Sequence, residues 1–108
     1  MNEYREKRLN RRHEVKEPIT YVYGEESYSS QTIDIGKGGI KFNTKQLLPP
    51  LSKVSITLKR DPSLIFNGLI IWSGRLDARY LAAIKFIDLT QEHTYYLEQF
   101  LLYGERSE

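Results

Sequence analysis

The spacing of the apolar residues along the sequence constrains the fold of this chain more than any other feature. From residue 19 to residue 86, apolar and polar residues alternate within short segments, which indicates strands with one buried and one exposed face. The period becomes helical only after Thr90, a plausible N-cap. From there one apolar stripe contains His93, Tyr96, Leu97, Phe100 and Leu101. About six short antiparallel strands followed by one helix predict an all-β barrel with a C-terminal helix packed on it.

The predicted strands cover residues 19–23, 28–35, 40–42, 54–59, 64–72 and 80–86. Residues 73–79 are polar and are predicted to form a loop, and Gly68 is predicted to mark a bulge or bend. Trp72 is interpreted as a core or barrel-rim aromatic. The residues expected in the core are Val54, Ile56, Leu58, Ile84, Phe86, Leu97 and Phe100.

Composition narrows the class of protein. The chain has 108 residues, which suits one domain, and 40% hydrophobic with 28% charged residues is typical of a soluble globular protein. The absence of cysteine excludes disulfides, thiolate metal sites and cysteine nucleophiles. The charged N-terminus has no apolar core and no apolar run is long enough to span a bilayer, so we expect a cytoplasmic protein without membrane insertion.

The N-terminal segment is polar and rich in charge. Residues 1–17 lack apolar periodicity and are predicted to form a flexible arm, while residues 18–104 form the barrel and its helix. Four cations stand close together in this arm: Lys7, Arg8, Arg11 and Arg12. Glutamates dilute them and the whole chain carries only +2, so on composition alone a solvated tail is the simpler interpretation.

A second unusual segment is the DIGKGG sequence of residues 34–39. Three glycines so close together require a backbone reason, either a positive φ or the close approach of another group. Asp34 before these glycines has two interpretations that stay open together, since its carboxylate can cap the turn or bind a ligand.

Taken together, these two segments resemble the two motifs of the PilZ family. Arg8 and Arg12 match an Arg-x-x-x-Arg motif in an N-terminal arm, and residues 34–39 match an Asp/Asn-x-Ser-x-x-Gly turn. The later order of a strand ending at Trp72, a further strand and a terminal helix is similar as well. Gly36 departs from the family pattern, because the family has serine there.

The resemblance implies a bacterial receptor domain that binds cyclic di-GMP and passes the signal to an unidentified protein partner. Arg8 and Arg12 would bind phosphate and guanine, because a guanidinium forms paired hydrogen bonds with both. Lys7 and Arg11 are secondary candidates.

In the second motif, Asp34 would accept hydrogen bonds from the guanine N1–H and N2 amino groups. Gly36, Gly38 and Gly39 would let backbone N–H groups approach the ligand. Loss of the family's serine hydroxyl predicts a working but weakened receptor.

Three alternatives rank below this hypothesis. A PilZ-like barrel that has lost nucleotide binding and acts by protein contact comes first, because of Gly36. A barrel that binds a nucleic-acid polymer is disfavoured by the low net charge. An enzyme is the least favoured, since no catalytic set, metal-ligand cluster or cofactor motif can be assembled and the two histidines lie far apart.

Overall fold

The computed structural model describes residues 13–60 and 62–103, which form a seven-stranded sheet and a C-terminal helix. In chain order, the strands are β1 (His13–Glu14), β2 (Pro18–Tyr23), β3 (Glu26–Ile35), β4 (Gly39–Thr44), β5 (Lys53–Leu58), β6 (Leu64–Leu76) and β7 (Arg79–Ile87), and the helix is α1 (Gln91–Tyr103).

Six of these strands close into a barrel. Their order is β3-β2-β5-β6-β7-β4, every neighbouring pair is antiparallel, and β3 also pairs with β4. Closure leaves the barrel strands without a free edge along most of their length. The predicted six-stranded antiparallel barrel with a C-terminal helix is therefore confirmed.

The core lies inside the barrel and beneath α1. All seven residues expected there from the sequence are buried: Val54, Ile56, Leu58, Ile84, Phe86, Leu97 and Phe100. Tyr21 is fully buried as well, and its hydroxyl accepts a hydrogen bond from the Lys45 N–H (2.9 Å). Burial raises the pKa of Tyr21, because the phenolate would lose its hydration.

The hairpin of β6 and β7 differs from the prediction. Residues 73–79 were expected to form a loop, but β6 continues to Leu76 and β7 starts at Arg79. The prediction was wrong because it took the polar residues of this segment as a sign of a loop. Ser73 lies within β6, where its hydroxyl group forms hydrogen bonds. Its hydroxyl oxygen accepts from the Leu48 N–H (3.0 Å) and the hydroxyl donates to the Leu81 carbonyl (3.3 Å).

The predicted irregularity at Gly68 is also displaced. Gly68 pairs in register with Val54 and Phe86, and the bulge in β6 falls between Ile70 and Trp72. A Cβ at position 68 would lie 2.6 Å from Cδ1 of Ile84, so the glycine serves close packing.

Pairing with the barrel begins before the first predicted strand. β1 pairs with the end of β3, and the Val15 N–H donates to the Ile33 carbonyl (2.9 Å). The buried Thr32 hydroxyl donates to the Val15 carbonyl (2.5 Å) and accepts from the Glu17 N–H (2.9 Å). Within the predicted arm of residues 1–17, positions 13–17 are thus bonded to β3, and residues 1–12 lie outside the described part of the chain.

Helix α1 begins with a reciprocal cap, and Thr90 is its N-cap residue, as the sequence predicted. The Thr90 hydroxyl oxygen accepts from the His93 N–H (3.2 Å), and the Thr90 N–H donates to Nδ1 of His93 (3.0 Å). Nε2 of His93 therefore carries the proton and donates to the Ile65 carbonyl (2.6 Å). The imidazole also packs against Phe66, with 4.7 Å between ring centroids. One cap thus fastens α1 to β6.

Thr90→Ala tests this cap. We expect the free energy of unfolding to fall by about 1 kcal/mol, since the first turn loses a side-chain acceptor. Thr94→Ala is the matched control, because Thr94 is exposed inside the same helix and alanine has the higher helix propensity. Urea unfolding measures both, and equal midpoints for the two variants would contradict the role of Thr90.

Candidate functional site

The glycine-rich turn between β3 and β4 is held by backbone hydrogen bonds. The Gly36 N–H donates to the Gly39 carbonyl (2.9 Å), and the Phe86 N–H donates to the Gly38 carbonyl (2.8 Å). Gly36 is buried in this turn. Among the described glycines, Gly24 is the one with a left-handed backbone (φ 63°), so the turn does not need glycine at position 36 for a positive φ.

Gly38 and Gly39 have different surroundings. A Cβ at Gly39 would collide with the carbonyl oxygen of Ile84 on β7, so glycine is required for the close approach of β4. A Cβ at Gly38 would meet nothing within 4 Å. The fold therefore requires glycine at position 39, whereas glycine at position 38 leaves its exposed backbone accessible to a ligand.

Four strands place one row of side chains on the outer face of the barrel. Asp34 pairs with Lys41, Lys41 pairs with Ala83, and Ala83 pairs with Trp72. Cross-strand partners in an antiparallel sheet point to the same face, and neighbouring strands are about 4.8 Å apart, so the row spans roughly 14 Å. It carries an anion, a cation, a small residue and an aromatic in that order.

A shallow cavity of about 430 Å³ opens beside this row. It brings together three of the predicted site residues, namely Asp34, Gly38 and Gly39. The remaining residues that line it are Lys41, Ile71, Ala83, Ile84 and Lys85. We call the cavity the β3–β4 depression. Its two lysines give it positive charge beside the carboxylate of Asp34.

Other predicted site residues are not part of this lining. Gly36 is buried in the turn. The four arm cations, Lys7, Arg8, Arg11 and Arg12, lie outside the described residues.

The bulge in β6 explains two residues that the sequence analysis misplaced or missed. Ile70 is buried, but Ile71 and Trp72 are 58% and 46% exposed, so two successive side chains are exposed. Trp72 is therefore a surface residue and not a core aromatic, and the Lys41 ammonium lies 5.9 Å from the centroid of its ring. Strict alternation of faces gives no signal for such a pair, because a bulge shifts the period by one residue.

The described residues provide little for other kinds of site. Across positions 13–60 and 62–103, no group of three or more His, Cys, Asp and Glu side chains could hold a metal ion. No helix in this same part of the chain is long and apolar enough to cross a membrane.

The described residues thus form a closed six-stranded antiparallel barrel with a C-terminal helix, a glycine-rich turn and a surface depression. The sequence profile of the PilZ domain matches residues 6–103, so the chain belongs to the PilZ domain family. Domains of this family are receptors or adaptors. No curated protein sequence matches the chain.

Solved PilZ structures share the fold at low sequence identity. The PilZ domain of CeSA from a cellulose-synthesizing bacterium superposes with a TM-score of 0.70 at 17% identity, covering 90% of this chain and 100% of that one. YcgR of Escherichia coli, solved in complex with cyclic di-GMP, gives 0.72 at 12% identity, over 89% of this chain and 45% of YcgR.

The Bacillus subtilis inhibitor of motility MotI/DgrA is similar in the same way. Its TM-score is 0.72 at 9% identity, over 87% of this chain and 49% of MotI/DgrA. The chain thus spans about half the length of MotI/DgrA and YcgR, and the whole of the CeSA domain. These likenesses show the fold.

Proposed function

We propose that this domain is a receptor for cyclic di-GMP and acts by changing the surface that it presents to a protein partner in the cytoplasm. The observation that carries the proposal is the meeting of Asp34, Gly38 and Gly39 at one depression of a PilZ barrel. The complex of YcgR with cyclic di-GMP supports this choice of ligand.

Each group in the depression has chemistry that suits this ligand. A carboxylate at Asp34 accepts two hydrogen bonds from the N1–H and N2 amino groups of guanine, and charged acceptors form the stronger bonds. Gly38 leaves backbone open to close approach, since no atom lies where its Cβ would be. Lys41 and Lys85 offer positive charge to the phosphodiesters.

The short strand β1 supports a contribution from the arm. Glu14 pairs with Asp34, and His13 pairs with Ile35. Arg12 directly precedes His13 in the sequence. A bidentate guanidinium at this root, with Arg8 four residues earlier, would close the ligand against the depression.

A calorimetric titration of the whole chain with cyclic di-GMP tests the proposal directly. We expect saturable binding, with cyclic di-AMP as the control ligand. Asp34→Ala should weaken binding of cyclic di-GMP, because the variant lacks the acceptor for the N1–H and N2 amino donors of guanine. Cyclic di-AMP is a suitable control because adenine lacks these donors. Absence of heat with the parent protein would overturn the proposal.

A second candidate is a PilZ domain that works by protein contact without a nucleotide. Exposed apolar residues favour it, since Ile71 lines the depression and is 58% exposed, and the next residue, Trp72, is 46% exposed. The same titration separates the two functions, because this candidate predicts no binding of either dinucleotide.

Gly36→Ser tests the departure from the family motif. We expect affinity for cyclic di-GMP to rise about two- to tenfold, or about 0.5–1.5 kcal/mol, if the added hydroxyl bonds the ligand. Gly36 has no positive φ, so serine brings no left-handed strain. Calorimetry gives the affinity, and urea unfolding checks that the buried turn accommodates the hydroxymethyl group. A stable variant with the parent's affinity would show that a hydroxyl group at position 36 does not contribute to binding.

A further inference from the structure

Strand β6 has a neighbouring strand on only one side near its C-terminal end. β5 pairs with β6 as far as Leu69, which lies opposite Lys53, and the loop that precedes β5 bonds to the backbone of Ile70. From Trp72 to Leu76, β6 pairs with β7 alone among the described strands. Within the part of the chain that the structure describes, this stretch is therefore a free edge of the sheet. We call it the β6 edge.

The geometry of the β6–β7 hairpin determines which backbone groups face outward. Pairs in an antiparallel ladder alternate between hydrogen-bonded and non-hydrogen-bonded, and the pair that closes a two-residue loop is hydrogen-bonded. Leu76 and Arg79 close such a loop between β6 and β7. Gly74 is then bonded to β7 as well, whereas Ser73 and Arg75 direct their N–H and C=O groups away from β7.

The β6 edge is not protected in the ways that edge strands usually are. Natural edges often carry an exposed lysine or a proline, which prevents pairing with another chain, but this stretch contains neither. Its one charged residue, Arg75, turns toward β7, because its guanidinium lies 5.9 Å from the ring centroid of Tyr80 and its Nε–H donates to the Asp77 carbonyl (2.9 Å). Trp72 and Leu76 are 46% and 54% exposed, so the edge is apolar as well as unpaired.

We propose that the β6 edge pairs with the same edge of a second copy of this chain, in an antiparallel contact with two-fold symmetry. Gly74 lies opposite Gly74 of the second copy, and Ser73 and Arg75 each lie opposite the other residue type. These two outer pairs exchange four backbone hydrogen bonds. The central pair is then a non-hydrogen-bonded one, in which the Cα atoms approach to about 4.5 Å, and glycine suits so close an approach.

The side chains of the edge favour a second copy over an unrelated strand. The period of a strand places Trp72, Gly74 and Leu76 on one face, in the order large, small, large. In the two-fold register each tryptophan meets the leucine of the other copy, and the glycines leave room between these two apolar pairs. Arg75 lies opposite an uncharged serine, so no like charges are placed directly opposite each other. The edge therefore complements itself, as a two-fold interface requires.

Sedimentation equilibrium of the whole chain without nucleotide tests this contact. We expect a reversible equilibrium between monomer and dimer, since two short edges bury little surface. Arg75→Pro removes an outward N–H but no hydrogen bond to β7, so it should raise the dissociation constant of the dimer about tenfold or more. Arg75→Ala is the matched control, because it keeps the N–H and should dimerise like the parent.

A charge placed on the edge provides a second variant. Leu76→Lys should also weaken the dimer about tenfold, because the ammonium would have to be buried opposite the tryptophan of the second copy. Leu89→Lys is its control, since Leu89 is a 40% exposed leucine outside β6 and should leave the dimer unchanged. Thermal unfolding checks that each variant keeps the parent's fold, and Leu76→Lys decides the matter if Arg75→Pro does not fold.

Two results would overturn the proposed contact. One is a parent protein that sediments as a monomer at every concentration up to its solubility limit. The other is a dimer whose dissociation constant is the same in the parent and in the folded edge variants, because the interface would then lie elsewhere. Neither result concerns the calorimetric binding of cyclic di-GMP, so this contact and the proposed receptor function are tested separately.

Discussion

Arg12→Ala is expected to weaken binding of cyclic di-GMP by about 1.5–3 kcal/mol, or roughly 10- to 150-fold. The guanidinium offers a planar pair of donors to a phosphate or to the O6/N7 edge of guanine, and both bonds are charge-assisted. Arg8→Ala should have an effect of the same size, because the arm contributes the two arginines as a pair. Isothermal titration calorimetry at one fixed salt concentration measures both.

Two further variants define what the arginines contribute. Lysine at either position should recover only part of the affinity, because it keeps the charge and loses the fork. Arg75→Ala is the control, since Arg75 is an exposed arginine on β6 that does not line the depression. Parent affinity in both arm alanine variants would show that the arm is not a binding element.

The barrel could be predicted from the sequence because its signals are local. Alternation in residues 54–58 and 80–86 indicates which side chains face inward, and Thr90 indicates where the helix starts. Val54, Ile56, Leu58, Ile84 and Phe86 are buried as this alternation predicts, whereas Leu81 is buried on the opposite face of its strand. Ser73 shows the limit of such signals, since a polar residue inside a strand is satisfied by partners 25 and 8 residues away.

The candidate site could be predicted in part, for a different reason. Asp34 and Gly38 are visible because a motif groups them within a few residues. Lys41 and Trp72 come together through β7, which separates their strands, and through a bulge that no local pattern marks. Pairing between distant strands brings such residues together, so only the folded barrel assembles them.

Thr32 illustrates the same point at the root of the arm. Its side chain reads from the sequence as an ordinary strand threonine, yet its hydroxyl bonds to Val15 and Glu17. These bonds hold the segment from Val15 to Glu17 against β3. A structural residue on β3 thereby anchors the segment that follows the proposed binding arm in the sequence.

Gly39→Ala should lower the free energy of unfolding by about 3 kcal/mol, while Gly38→Ala should leave it unchanged or raise it by less than about 1 kcal/mol. The methyl group at position 39 would collide with the Ile84 carbonyl, so β4 has to move away from β7. At position 38 no atom lies within 4 Å of the added carbon and φ is not positive, so the methyl group mainly restricts the unfolded chain.

The two neighbouring glycines therefore separate folding from binding. Urea unfolding should distinguish them by stability. Calorimetry with cyclic di-GMP should then show weaker binding by the stable Gly38→Ala variant, because the methyl group is added to a residue that lines the β3–β4 depression. Equal stability of the two variants would contradict the close approach of β4 and β7. Parent affinity in Gly38→Ala would mean that the ligand does not approach this backbone, and the binding surface would then have to begin at Asp34 and Lys41.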